Sequence, residues 1–331
     1  MRIGTVELIQ GLLLAFLLVV ILMPPFIRLL RYVRFGKNIR EEGPDSHQVK
    51  KGTPTGGGIL LIIVVAAVAV LLGAVGSDTP DTYSPLAALL GVGALGSADD
   101  YLNAKTGVGI GVRGKLAWQI IVAVLAALYI QRHFNIDAIR VPFAGEVTIG
   151  PLLFIVFAAF AIVATSNGVN ITDGLDGLAG GTLAFAFVAY MIIALLNLPA
   201  QPNLALLCAI VIGAIMGFLW FNVHPAQVFM GDSGSLSLGA TLAVSALITG
   251  QILVLPLIGI VFVLEAGSVI LQVAWFKATR GRRIFLMSPI HHHFELAGWD
   301  EEKVTVRFWI IAVLAGLLGV TLFLASINAL A

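Results

Sequence analysis

Charge is what this 331-residue chain has least of: Asp, Glu, Lys and Arg make up 11% of it, against 59% hydrophobic residues. A soluble domain cannot carry that composition, because too few polar side chains remain to cover its surface. Only one cysteine is present, Cys208, inside an apolar run, so no intrachain disulfide forms and thiol redox chemistry lacks a partner. Short segments of alternating polarity, the mark of an outer-membrane barrel, are missing. So are internal repeats and any soluble domain, which argues against an inverted-repeat transporter. What the chain does contain is long apolar runs, among them residues 11–23, 59–75, 152–164 and 304–327. They are too long and too apolar for soluble core helices, so the expected fold class is an all-α polytopic integral membrane protein. The 36 glycines suit close helix packing in lipid.

About ten transmembrane helices are expected, near residues 5–30, 56–75, 86–98, 116–131, 151–166, 178–197, 203–221, 234–250, 253–278 and 304–328. The first runs into Pro24-Pro25 and a basic stretch without a small-residue cleavage site. It reads as a retained span rather than a removed signal peptide. The ninth is long enough to be broken or tilted. All of the 19 lysines and arginines except Arg2, Arg132 and Arg140 fall in the first, third and ninth loops or in the span ends that border them. That puts the odd-numbered loops in the cytoplasm and both termini in the periplasm. A single transmembrane domain, 1–331, then presents cytoplasmic loops at 31–55, 99–115, 165–177, 222–233 and 279–303. On the other side, alternating Ile139, Val141, Phe143, Val147 and Ile149 around Gly145 predict a small periplasmic hairpin between helices 4 and 5.

Acids near a bilayer are costly unless something uses them, and Asp99, Asp100, Asp173, Asp176 and Asp232 all fall on this one face. Asp99 and Asp100 end the third span, where acids oppose the helix dipole. Adjacent side chains on a helix diverge, so one carboxylate is left for a metal or a proton while the other meets Lys105 or Lys115. Residues 167–181 are the densest polar stretch at a membrane boundary. There Asn167, Asn170, Thr172, Asp173 and Asp176 suit a nucleobase edge, a ribose or a metal, against the plainer reading of a turn. Asp232 precedes the eighth apolar run, where it either caps the helix or serves as a Mg²⁺ ligand or nucleophile. In the first loop, Lys50 and Lys51 beside Thr53, Thr55 and Gly56-Gly57-Gly58 fit phosphate held at a helix start. The alternative is a positive-inside anchor with Thr55 as cap. Three consecutive histidines, His291, His292 and His293, converge poorly on one ion. Hydrogen bonds to phosphates or sugar hydroxyls suit them better. Glu265, within the ninth span, is either a site residue or a helix–helix hydrogen-bond partner.

These motifs carry a resemblance. They are Gly52-Thr53-Pro54-Thr55, Asp99-Asp100-Tyr101, Asn170-Ile171-Thr172-Asp173-Gly174-Leu175-Asp176-Gly177-Leu178, Phe229-Met230-Gly231-Asp232 and Pro289-Ile290-His291-His292-His293-Phe294-Glu295. Together they closely resemble the phospho-N-acetylmuramoyl-pentapeptide transferase family of the polyprenyl-phosphate N-acetylhexosamine-1-phosphate transferase superfamily. The likeness covers nearly the whole chain, from Phe35-Gly36 to Phe308-Trp309. Sister enzymes that use UDP-N-acetylglucosamine, the alternative substrate, share the aspartates but lack the histidine block followed by Phe294-Glu295-Leu296.

The resemblance implies ten helices with a broken ninth, and a homodimer in the bacterial inner membrane whose site faces the cytoplasm. It implies Mg²⁺-dependent transfer of phospho-MurNAc-pentapeptide from UDP-MurNAc-pentapeptide to undecaprenyl phosphate, a membrane lipid, giving lipid I and UMP. Asp99, Asp100 and Asp232 would be catalytic, with Asp232 the Mg²⁺ ligand and Asp99 contacting the lipid phosphate. Asn170, Asp173, Asp176 and Phe229 look like the nucleotide site. Lys50, Thr55, Lys115, Asn167, Gln272, His291, His292 and His293 would join them in substrate binding. No nucleic acid is expected as a partner. Two positions depart from the family pattern. Gly56 stands where methionine is usual, removing packing beside Thr55, and Asn103 stands where a basic residue is usual, so a phosphate contact there would have to come from Lys105 instead. The reading from a different class is a proton-coupled secondary transporter; its acids belong near mid-membrane, whereas these sit at span ends.

Overall fold

The computed structural model describes residues 4–36, 52–74 and 79–330. Lys50, with most of the first loop, lies outside the described residues. In chain order the helices are α1 Thr5–Tyr32, α2 Gly57–Leu71, α3 Pro80–Thr106, α4 Val112–Phe134, α5 Pro151–Thr172, α6 Leu178–Leu196 and α7 Pro202–Asn222. They continue with α8 Gly231–Ile248, α9 Leu255–Ile258, α10 Ile260–Ala278, α11 Ile290–Leu296 and α12 Glu301–Leu330. Each expected span coincides with a helix, except that the ninth is divided into α9 and α10 at Gly259. Among the described residues α1, α4, α5, α6, α7, α10 and α12 are long and apolar enough to cross a membrane. The protein is an all-α polytopic membrane protein.

Helix α8 shows how a span can be polar and still belong in the bundle. It carries Ser233, Ser235, Ser237, Thr241 and Ser245, yet every residue from 233 to 248 is buried by protein. Its hydroxyls bond one turn back, Ser235 Oγ to Gly231 O and Thr241 Oγ1 to Ser237 O, each at 2.8 Å. No hydroxyl on this helix therefore has to meet lipid. Small residues let its neighbours come close. A Cβ at Gly58 of α2 would land on the backbone of Gly234 in α8. Gly58→Ala is therefore expected to cost about 1–3 kcal/mol through overpacking, read as a lower thermal midpoint in detergent. An unchanged midpoint would contradict that contact.

The topology gathers the motifs at one end. Helices α1 and α7 run side by side in the same direction, with Gly11 against Leu206 and Gly217 against Val19. They finish where α2 and α8 begin: Phe35 O accepts the N–H of Thr55 at 2.9 Å and Pro54 O that of Phe229 at 2.8 Å. The opposite end holds the start of α1, the end of α12 and the expected hairpin. Its strands, β1 Ala138–Val141 and β2 Gly145–Thr148, pair antiparallel with Ile139 opposite Val147. The hairpin docks through the Phe143 N–H on Ser326 Oγ at 3.0 Å.

Two boundaries differ from the sequence expectation. Helix α3 does not end at Asp99-Asp100 but continues to Thr106, where left-handed Gly107 (φ 72°) closes it with its N–H on Asn103 O. Helix α5 runs on through Asn167 and Asn170, so the turn-rich loop shrinks to residues 173–177. Amides and glycine are weak helix formers, but tertiary contacts override that preference here. Gly168 packs on Phe262, and both asparagines bond across to neighbouring helices.

Candidate active site

Helices α3, α4, α5 and α8 each bring one polar side chain to a common point. Because Asp99 and Asp100 are adjacent on a continuing helix, they point to different neighbours. Asp99 faces α4, where Lys115 Nζ lies 2.6 Å from Asp99 Oδ2 and 2.7 Å from Asp232 Oδ2. Asn170 Nδ2 donates to Asp232 Oδ1 at 3.0 Å and to Ser235 Oγ at 2.8 Å. The other oxygen of Asp99 accepts the Ile110 N–H. Lys105, the second candidate cation, instead lies over the Tyr101 ring, 4.6 Å from its centroid.

Asp100 has a different task. It accepts the backbone N–H groups of Asp232 and Ser233, each at 3.0 Å, donors of the first turn of α8 that a helix does not satisfy internally. The cap of α8 thus comes from α3, and neither Asp232 nor Ser233 caps its own helix. Asp100 lies beyond the third span; burial pushes its carboxyl up to about 6, with the Asp232 charge adding to the rise. The Asp232 side chain is 22% exposed and that of Asp99 4%, so Asp232 is the carboxylate with an open face.

A second group lies around the 173–177 turn. Asp173 is half-buried there, whereas Asp176 is buried. Asp176 Oδ2 lies 3.1 Å from His224 Nδ1 and accepts the Ala226 N–H at 3.0 Å. The Asp176 N–H donates to Glu301 Oε1 at 2.7 Å. Asp176, His224 and Glu301 hold their ligand atoms within 4.8 Å of one another, an acid-and-histidine grouping able to take a cation. Asp232 is not part of it. In the structure the same contacts tether the first turn of α12 to the 173–177 turn. Asn222 Oδ1 adds a bond from the Gly177 N–H at 3.1 Å. Asn222, His224 and Glu301 had no motif of their own; the one available signal was their place in loops on the acidic face.

Phe229 is half-buried, and its backbone pairs with the start of α2, Gly57 N–H to Phe229 O at 2.9 Å. Thr55 is drawn in with it and buried. The lost packing expected at Gly56 does not arise. Gly56 is a left-handed N-cap with φ 87°, and Phe35 fills the space, 2.8 Å from where a Cβ would stand.

The three histidines on α11 have three different Nδ1 partners. His291 is fully buried against Glu265 Oε2 at 2.8 Å, and His292 meets Glu295 Oε2 at 2.7 Å. His293 Nδ1 accepts the Leu286 N–H at 3.2 Å, so its neutral ring carries the proton on Nε2 and presents a donor there. Gln272 is committed to the loop: its Oε1 accepts the N–H groups of Ile284 and Phe285, each at 3.0 Å. Asn167 is likewise committed, to Gln119 Oε1 at 3.1 Å and Val163 O at 2.8 Å. The structure thus joins Asp99, Asp100, Lys115, Asn170 and Asp232 directly. Asp173, Asp176 and Phe229 belong to the surrounding turns, His292 and His293 to α11, and Asn167, Gln272 and His291 are supports turned inward.

Fold and site together define a polytopic membrane protein with a carboxylate-and-lysine centre at one end of a helical bundle. A family model described as glycosyl transferase family 4 matches residues 82–250, the stretch that contains this centre. A relative from Chloroflexus aurantiacus is 46% identical over 325 residues, covering 94% of this chain and 88% of its own. One from Desulfosudis oleivorans is 46% identical over 337 residues, covering 96% and 92%. One from a Geobacillus species is 43% identical over 317 residues, covering 95% and 97%. All three are named phospho-N-acetylmuramoyl-pentapeptide-transferase. The chain belongs to glycosyl transferase family 4 and, within it, to the phospho-N-acetylmuramoyl-pentapeptide transferases.

Proposed function

We propose that this chain moves phospho-MurNAc-pentapeptide from UDP-MurNAc-pentapeptide to undecaprenyl phosphate, giving lipid I and UMP. The carrying observation is Lys115 seated between Asp99 and Asp232, at the end of the bundle from which Lys277, Arg280, Arg282 and Arg283 emerge. The basic side of a membrane protein is the cytoplasmic one, so the site faces the soluble donor while the acceptor keeps its tail in the inner membrane. Residues 1–331 act as one transmembrane domain, and the homodimer is carried over from the family resemblance.

The acceptor is a phosphate monoester with about −1.5 to −2 charges near neutral pH, so no residue has to remove a proton from it. One of its oxygens bonds to the sugar-linked phosphorus while the bond from that phosphorus to the UMP oxygen breaks. One diphosphate replaces another. The obstacle is repulsion between two anions, and Lys115 with the Nε2–H of His293 offsets it. Lys50 would add charge from the first loop. The donors at the centre are hard carboxylate and amide oxygens, the kind Mg²⁺ takes, and the seated Lys115 ammonium marks a place for positive charge. Asp232 would hold the ion on its open face, where the bound ion would neutralise diphosphate charge.

Full-length protein in nanodiscs, given radiolabelled UDP-MurNAc-pentapeptide and undecaprenyl phosphate, tests this reading. Label is expected to enter organic-soluble lipid with one UMP per transfer, and a chelator to slow it about 100-fold or more. Absence of labelled lipid would sink the proposal. Uptake into sealed vesicles without lipid product would favour transport.

A further inference from the structure

We propose that Glu265 is a positioning residue, acting from within the spanning part of α10, through His291, on the turn that carries Asp173. The inference rests on reading that turn as part of the donor site. Glu265 and His291 are both fully buried, with Oε2 and Nδ1 2.8 Å apart. A strongly polar side chain inside a membrane bundle is expensive unless something uses it. The pair is not a closed structural contact: among the described residues, Glu265 Oε1 and His291 Nε2 have no partner.

The far edge of the ring explains the arrangement. A Cβ at Gly174 would fall on His291 Nε2, so the ring lies directly against that residue's Cα. Gly174 has no left-handed backbone to account for the glycine; the approach of the ring requires it. The Gly174 N–H bonds to Thr172 O at 2.8 Å and the Asp173 N–H to Val169 O and Asn170 O, each at 3.2 Å. The position of the ring therefore fixes how Asp173 leaves the end of α5.

The grip on the histidine segment is double. Glu265, Ser268 and Gln272 are spaced to share one face of α10, where Gln272 holds the backbone at 284–285 and Glu265 holds His291. Donation from Nδ1–H to the carboxylate leaves Nε2 a bare acceptor against the Gly174 Cα. Glu265 thus selects both the tautomer and the ring plane, as carboxylates behind functional histidines do elsewhere.

Steady-state kinetics in nanodiscs, with donor and acceptor varied separately, test the proposal. Glu265→Ala is expected to raise the donor KM about tenfold or more and leave the acceptor KM within about twofold. Glu265→Gln keeps an oxygen for Nδ1–H and should stay within about threefold of wild type. His291→Asn keeps a donor for Glu265 but places no atom at Gly174, and should match Glu265→Ala. If Glu265 merely needs a hydrogen-bond partner, His291→Asn is silent, and that result overturns the proposal. An equal rise in both KM values overturns it as well. Should Glu265→Ala fail to fold, Gly174→Ala displaces the ring from the other side and must raise the donor KM in the same way. Wild-type protein that makes no lipid product sinks the reading of the reaction. Active wild type together with an unchanged donor KM in Glu265→Ala sinks only the positioning role.

Discussion

Asp232→Asn is expected to lower transfer about 10³-fold or more, about 4 kcal/mol of barrier, while leaving the fold intact. The two parts of that expectation have separate causes. The fold survives because the first turn of α8 is held by Asp100 through the backbone N–H groups of residues 232 and 233, which the substitution does not touch. The chemistry fails because both oxygens are in use, Oδ2 on Lys115 and Oδ1 on Asn170. An asparagine can satisfy one of them, but its NH₂ must then face a second donor. Asp232→Ala should show the same loss with a similar thermal midpoint, and a variant within tenfold of wild type would remove Asp232 from the centre. The same contacts bear on the order of events. A phospho-aspartate intermediate at Asp232 would discharge the carboxylate that Lys115 and Asn170 hold, breaking the ion pair with Lys115. Direct attack by the lipid phosphate requires no such break, so enzyme without acceptor should release no stoichiometric burst of UMP. A burst would overturn that order.

Hydrophobic run length was enough to place the helices, and loop charge enough to bring the acids to one face, because both are local properties of the chain. The divergence of Asp99 and Asp100 was also readable, since it follows from helix geometry alone. What composition hid was where helices stop. Gly107 rather than the acidic pair ends α3, and packing carries α5 through asparagines that look like loop. Longer-range partnerships were out of reach. Nothing local to Asn170 says that its amide serves Asp232, 62 positions away. Nothing near Asp100 marks it as the cap of another helix, or Phe35 as the filler beside Gly56. The sequence alone leaves Glu265 open to two readings; its partner, His291, lies 26 positions away. His224 and Glu301 are not legible in the sequence, because a side chain that fastens a neighbouring acid leaves no spacing pattern of its own.

Lys115→Met is expected to cut turnover about 10²-fold, with a signature opposite to that of the Glu265 variants. The Lys115 ammonium is shared by Asp99 and Asp232, so without it two carboxylates face each other across the site. At an effective dielectric of about 20, like charges about 4–5 Å apart repel by about 3–4 kcal/mol. One carboxylate has to move or be neutralised. Asp99 is the worse placed to move, being buried with its second oxygen on the Ile110 N–H, so Asp232 swings toward its open face. Its bond to Asn170 is then lost, and with it the alignment of the reacting phosphates. The loss should appear in kcat, because the 173–177 turn and its supports from Glu265 and His224 are untouched and the donor still binds. Lys115→Arg keeps the charge but spreads it over a planar fork, which two convergent carboxylates built around a single nitrogen accommodate imperfectly; about tenfold is expected. A normal kcat in Lys115→Met would mean that the ammonium only balances charge at rest. A fall in kcat beside an unchanged donor KM would place Lys115 at the reacting centre, just as a raised donor KM at constant kcat places Glu265 behind the wall of the donor site.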